Sequence, residues 1–280
     1  MTRMRQNRIT SRFEALKTEG RAGLITYVMA GDPDVETAFE ILKGLPAAGA
    51  DLIELGFPFS DPMAEGPPIQ RAALRALKAG MTLRGTLDLV RRFRVNDQTT
   101  PIILMGYTNP VLSYGFGPFA ADAAAAGVDG LIIVDSPPEE AAELSDALDV
   151  AGISLIRLTA PTTDDKRLET VVKRTSGFVY YVSVAGVTGV KEADAATVAP
   201  AVARVRKASN LPVAVGFGIK TPERAAAVAL VADAVVVGSA LVEEIASAAA
   251  TDSLAAPKVL ASVAALAQAV RMARLDVNVT

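Results

Sequence analysis

Short continuous apolar runs alternate with longer amphipathic stretches along this chain. The runs fall at 24–29, 51–55, 102–105, 130–134, 154–158, 177–182, 213–215 and 234–237. Stretches with helical spacing lie between them, at 35–45, 68–79, 83–93, 139–149, 164–175, 196–207 and 222–231. Predominantly apolar runs of this length suit strands buried on both faces, which is the condition of a parallel sheet covered by helices. Eight such alternations favour an α/β fold closed as a (β/α)8 TIM barrel over an open doubly wound sheet. An extra N-terminal helix over 9–19 puts Ile9, Phe13 and Leu16 on one face, a spacing that suits a plug beneath the barrel. At the other end the Ala-rich stretch 246–257 reads as a connection before a last helix over 258–272. The 280 residues then form a single barrel domain, 1–280, with added helices.

A short unit recurs ahead of the strands. It appears as Ala47-Ala48-Gly49-Ala50-Asp51, as Ala125-Ala126-Gly127-Val128-Asp129, and in reduced form as Val231-Ala232-Asp233. In the first two, Gly can take positive φ and cap the preceding helix at its C-terminus. The third keeps the strand and the Asp without the Gly.

Composition narrows the chemistry more than the class. The chain holds no His, no Cys and no Trp. Disulfides, thiolate nucleophiles and Cys- or His-ligated metals are thereby excluded, as is imidazole acid–base catalysis. The net charge of −3 and the scattered Lys and Arg argue against a nucleic-acid surface. The N-terminal basic residues have no apolar run behind them, unlike a secretory signal. The most apolar window, 225–242, is interrupted by Asp233 and reads as a buried strand with its neighbours rather than a membrane span. The expected location is cytoplasmic.

Barrel enzymes place their chemistry at the C-terminal ends of the strands. Candidates there are Gly31-Asp32-Pro33, Glu54, Asp61 and Glu65, Tyr107-Thr108-Asn109-Pro110, Asp135, the loop 183–189, Gly216-Phe217-Gly218-Ile219 and Gly238-Ser239. Glycines after the last two strands, with Ser239 opening a short helix, present backbone N–H donors and a helix dipole suited to a phosphate. A phosphorylated substrate follows. Lys220 reads as an exposed helix start rather than a Schiff-base lysine. What remains for proton transfer is a carboxylate pair with tyrosine hydroxyls in support, led by Glu54.

The stretch Glu54-Leu-Gly-Phe-Pro-Phe-Ser-Asp-Pro-Met-Ala-Glu65-Gly-Pro resembles the most characteristic motif of the tryptophan synthase alpha subunit family. Gly31-Asp32-Pro33, Tyr107-Thr-Asn-Pro, Ala185-Gly186-Val187-Thr188-Gly189, Gly216-Phe217-Gly218-Ile219 and Gly238-Ser239 follow in that family's order. The resemblance implies a lyase that cleaves indole-3-glycerol phosphate to indole and glyceraldehyde 3-phosphate by a retro-aldol reaction. It implies an α2β2 complex whose beta subunit carries pyridoxal phosphate and joins indole to L-serine, with no cofactor in this chain. Carried over by motif, Glu54 and Glu65 are catalytic and Tyr180 stands beside the substrate. Tyr27 and Tyr107 line the indole pocket, and Gly189, Gly218, Gly238 and Ser239 bind phosphate. Asp61 and Thr188 meet at the lid and interface. One departure stands out: the family usually has Asp where this chain has Glu65, one methylene longer, and a displacement of about 1 Å in a catalytic group costs on the order of 10²-fold. The alternatives are a free-standing lyase that releases indole, a catalytically silent partner of a beta subunit, and a phosphosugar isomerase working with two acids.

Overall fold

The computed structural model describes residues 7–183, 195–216, 218–251 and 254–275. Eight parallel strands close into a barrel in sequence order: β1 (Gly23–Met29), β2 (Leu52–Gly56), β3 (Ile102–Gly106), β4 (Gly130–Ile133), β5 (Ser154–Thr159), β6 (Val179–Val182), β7 (Val213–Gly216) and β8 (Ala234–Val237). β8 returns to β1 with Ile25 opposite Val236. The expected (β/α)8 barrel is therefore present, each strand within two residues of its expected start and end.

The helices are α1 (Arg8–Thr18), α2 (Val35–Ala48), α3 (Pro67–Lys78), α4 (Leu83–Arg94), α5 (Thr108–Tyr114), α6 (Phe116–Ala126), α7 (Ala142–Ala151), α8 (Asp165–Val172), α9 (Ala195–Ser209), α10 (Pro222–Ala229), α11 (Ser239–Ala250) and α12 (Ala255–Met272). The Ala-rich stretch 246–257 departs from the expected connection. It stays helical to Ala250, because Ile245 and Ala248 bury the inner face of α11 and Ala is the strongest helix former. The last helix begins at Ala255, three residues early, since Pro257 falls in the first turn, where its missing N–H has no helical partner to lose. No described helix is long and apolar enough to cross a membrane.

α1 closes the bottom of the barrel. Asn7 caps it by accepting from Thr10 N–H, and Ile9, Phe13 and Leu16 are buried against the inward residues of the strands, with the Phe13 and Phe178 rings 5.6 Å apart.

The recurrent Asp has a mechanical role at this same end. Asp51 accepts the Leu24 N–H and two bonds from Arg21, Asp129 accepts the Ile102 N–H and bonds from Arg94 and Arg8, and Asp233 accepts the Val213 N–H and bonds from Arg206. Each Asp thus ties the start of its own strand to the start of the preceding one and satisfies a donor the ladder leaves open. Gly49 and Gly127, at φ 108° and 94°, end the preceding helices in the left-handed conformation the sequence motif requires. With the bottom plugged and tied, the opposite end is free to vary.

Candidate active site

The cavity at that opposite end holds about 310 Å³. Its wall is made of inward-facing residues near the strand ends: Tyr27, Glu54, Met105, Leu158, Tyr180 and Val236. Loop and helix residues complete it, among them Glu65, Ile69, Thr159, Thr163, Gly218, Lys220, Gly238 and Ser239.

Glu54 is the third residue of β2, beside Tyr27 on β1 and Ile103 on β3. It is 1% exposed, and its Oε1 has no hydrogen-bond partner. A buried carboxylate without a cation or donor favours its neutral form. Burial first, and the nearby Glu65 second, raise its pKa to about 8. Glu65 stands half-buried on the loop above, and burial of its carboxyl raises its pKa to about 7. The two acids line one cavity and repel as anions, so they titrate as a coupled pair.

The loop that carries Glu65 is pinned from three sides. Its N–H donates to Pro62 O, Gln70 Nε2 donates to Glu65 O at 2.9 Å, and the Ala64 N–H donates to the Tyr107 hydroxyl at 2.9 Å. The Tyr107 ring also packs on Phe59, centroids 5.3 Å apart. Tyr107, expected in the indole pocket, therefore lies outside the main cavity, in a small void behind the loop. Its hydroxyl oxygen accepts from the loop backbone, and it braces the Glu65 loop instead of lining the wall.

Tyr27 and Tyr180 do face the cavity. Burial, together with the two glutamates, raises both phenol pKa values well above the ordinary value, so both remain O–H donors. Their hydroxyls lie against strand-end glycines: a Cβ on Gly56 would stand 2.3 Å from the Tyr27 hydroxyl, and one on Gly216 would stand 2.2 Å from that of Tyr180. Sequence reasoning did not assign these glycines as spacers. The available signal was a Gly at the last position of a strand adjoining each tyrosine strand.

Gly218 (φ 75°), Gly238 and Ser239 come together at one side of the cavity. Ser239 starts α11, whose N-cap Gly238 makes no side-chain cap, leaving the first-turn N–H groups open toward an anion. Lys220 borders the same side and pairs with Glu243 at 3.2 Å. Asp61 is exposed, accepting from the Ser60 hydroxyl at 2.5 Å, and is not part of the cavity. Thr188, Gly189 and the rest of the lid expected after β6 lie outside the described residues. Asp32, another strand-end candidate, is engaged structurally: Arg75 of α3 donates to both its oxygens, at 2.6 and 2.8 Å. Asp135 receives the Thr108 N–H and hydroxyl, joining β4 to α5. Among the described residues no group of three Asp or Glu side chains is placed to hold a metal ion.

Residues 13–271 match the family model described as the tryptophan synthase alpha chain. The chain belongs to that family. It is 72% identical over 273 residues to the tryptophan synthase alpha chain of Caulobacter sp. (strain K31), covering 98% of this chain and 99% of that one. It is likewise 72% identical over 271 residues to that of Phenylobacterium zucineum (strain HLK1), covering 97% and 98%. Among solved structures, tryptophan synthase subunit alpha from Legionella pneumophila str. Paris superposes with a TM-score of 0.89 at 42% identity, covering 95% of this chain and 99% of that one. As a tryptophan synthase alpha chain, the protein is a lyase of tryptophan biosynthesis that cleaves indole-3-glycerol phosphate.

Proposed function

We propose that Glu54 and Glu65 divide the proton chemistry of this retro-aldol cleavage, within one barrel domain spanning 1–280. The observation that carries the assignment is the orphaned, buried Glu54 carboxyl, whose pKa near 8 keeps it protonated at neutral pH. A neutral carboxylic acid facing an apolar wall is a general acid in waiting.

The steps balance without an added reagent. Glu54 gives its proton to indole C3, and the ring nitrogen takes on positive charge. Ionised Glu65 accepts a hydrogen bond from the indole N–H and stabilises that charge. Glu54, now a carboxylate, removes the proton of the glycerol hydroxyl. The C3–C3′ bond breaks as the aldehyde forms, and its electron pair restores the indole ring. Glu54 ends protonated, ready for the next turnover.

Tyr27, Met105, Leu158 and Tyr180 present the apolar wall for the indole ring, with the Tyr180 hydroxyl as a neutral donor beside the reacting atoms. Gly218, Gly238 and Ser239, with Gly189 of the loop after β6, take the phosphate through backbone N–H groups and one hydroxyl. Holding both ends of the substrate fixes C3 over Glu54. Asp61 and Thr188 belong to closure of the lid. The longer side chain of Glu65 is accommodated because Gln70 and Tyr107 hold its loop, and its carboxyl reaches the cavity and acts on Glu54.

The products leave as indole and glyceraldehyde 3-phosphate. Indole passes to a beta subunit in an α2β2 assembly, where pyridoxal phosphate supplies the electron sink for its condensation with L-serine. The exposed Met63, on the β2–α3 loop, and Leu112, on α5, fit the face that meets this partner. We place the enzyme in the cytoplasm.

The test is indole release from indole-3-glycerol phosphate, with and without a beta subunit. Wild type is expected to release indole and to be strongly accelerated by the partner, and Glu54→Gln to lose roughly 10³-fold or more in kcat under both conditions. A Glu54→Gln variant that keeps near-wild-type kcat would remove Glu54 from the chemistry. Absence of indole from wild type under both conditions would favour the silent partner.

A further inference from the structure

Arg157 stands fourth in β5 and points away from the barrel axis, since its neighbours Ile156 and Leu158 face inward. It is 6% exposed. Its Nη1 donates to Ser136 O at 2.6 Å, and no carboxylate among the described residues forms an ion pair with it. Burial, then the positive charge of Arg174, push its pKa down, with Arg167 adding to the effect and Glu139 opposing it. Buried guanidinium groups in proteins are ordinarily paired, because desolvation is otherwise uncompensated. The cleavage reaction makes no use of Arg157.

Beside it lies a second cavity, of about 330 Å³, lined among others by Asp135, Ser136, Pro137, Arg157, Thr163 and Arg167. Its one lining carboxylate among the described residues, Asp135, is engaged through a single oxygen, Oδ1. Asp135 accepts from Thr108, and Glu139, just beyond, is paired with Arg167. The Thr163 hydroxyl accepts from the Ala160 N–H, which leaves its own hydrogen available to a ligand. What faces the open volume is therefore the Arg157 guanidinium with unused donors, the Thr163 hydroxyl and the second oxygen of Asp135, with Arg167, bonded to Glu139 through both terminal nitrogens, adding positive charge at the rim.

We propose that this cavity is a binding site for a small oxyanion, a carboxylate or a phosphate, held by the Arg157 guanidinium with Arg167 at its rim. Planar N–H donors match an oxyanion in bidentate fashion. The site is separate from the substrate phosphate region at Gly218 and Gly238, yet Val134, Leu158 and Thr163 wall both cavities. An anion on Arg157 thus sits across a shared wall from the indole pocket.

The experiment is a titration of the isotope-labelled chain with sodium phosphate and with sodium acetate at constant ionic strength, followed by NMR. The Arg157 Nε–Hε signal and the Ser136 and Leu158 amides report the new site, and the Gly218 and Gly238 amides report the substrate phosphate region. The expected result is a saturable shift at the Arg157 group of signals with phosphate or acetate and none with chloride. Arg157→Gln should weaken the Ser136 response about tenfold or more, with Arg157→Lys in between. Signals that move linearly and equally with chloride would overturn the site in the wild type itself, whether or not the variants fold. Response at Arg157 without response at Gly218 and Gly238 would uphold this site while counting against the assigned phosphate region. If Arg157→Gln instead weakens beta-subunit association and phosphate and acetate leave the wild-type signal unmoved, the anion is a partner carboxylate and the free-ligand site falls.

Discussion

The proposed division of proton chemistry assigns the pH behaviour to two carboxyl groups, Glu54 and Glu65. In the proposed mechanism Glu65 works ionised at the indole nitrogen and Glu54 works protonated at C3, so activity is expected to rise as pH passes about 7 and to fall as pH passes about 8. A narrow bell in kcat/KM is expected, its two limbs belonging to the pair. Glu65→Gln should erase the rising limb and move the falling limb to lower pH, because the negative neighbour that raises Glu54 is gone. A rising limb that persists in this variant would assign it to another group. Stability carries the same signature with a definite sign. The folded state keeps the Glu54 proton while the unfolded chain releases it near 4.5, so this contribution is complete below 4.5 and is lost as pH rises to about 8. Urea unfolding at pH 5 and pH 9 should therefore show wild type losing roughly 2–4 kcal/mol more than Glu54→Gln across that interval. Equal losses would mean that Glu54 titrates like a solvated acid.

At the level of elements, the strand-leading Asp is the recurrent device. Asp129 joins the start of β4 to that of β3 through Ile102 N–H and neutralises Arg94, which is itself buried. Removing the acid strands that guanidinium and an amide together. Asp129→Ala is expected to cost roughly 3–5 kcal/mol by denaturant unfolding. Because the position lies at the plugged end of the barrel, kcat per folded molecule should stay near wild type. A large fall in kcat with little loss of stability would mean that the two ends of the barrel are coupled. The loop from β2 to α3 is held differently, by scattered hydrogen bonds such as those from Gln70 Nε2 to Glu65 O and from the Ala64 N–H to the Tyr107 hydroxyl.

For the molecule as a whole, the apolar runs and the helical spacings determined the closed barrel, because a strand buried on both faces has few other homes. The recurrent Gly and Asp marked where helices end and strands begin, since positive φ and an open ladder donor are local demands. The absence of His and Cys narrowed the chemistry to carboxylates, and the Glu54–Pro67 motif pointed to the family. The end of α11 and the start of α12 were misjudged, because Ala-rich sequence leaves the boundary to packing. Tertiary structure alone decided the rest. That Glu54 has no partner depends on every element that fails to bring it a cation. Tyr180 and Tyr27 turn toward the cavity over Gly216 and Gly56 on neighbouring strands, while Tyr107 turns behind the Glu65 loop. Arg157 reads in sequence as a charge in an apolar strand, and only packing reveals it buried beside a cavity. Local sequence fixes conformation over a few residues, whereas burial and pKa arise from neighbours distant in the chain, which is why the barrel was legible and the state of its charged groups was not.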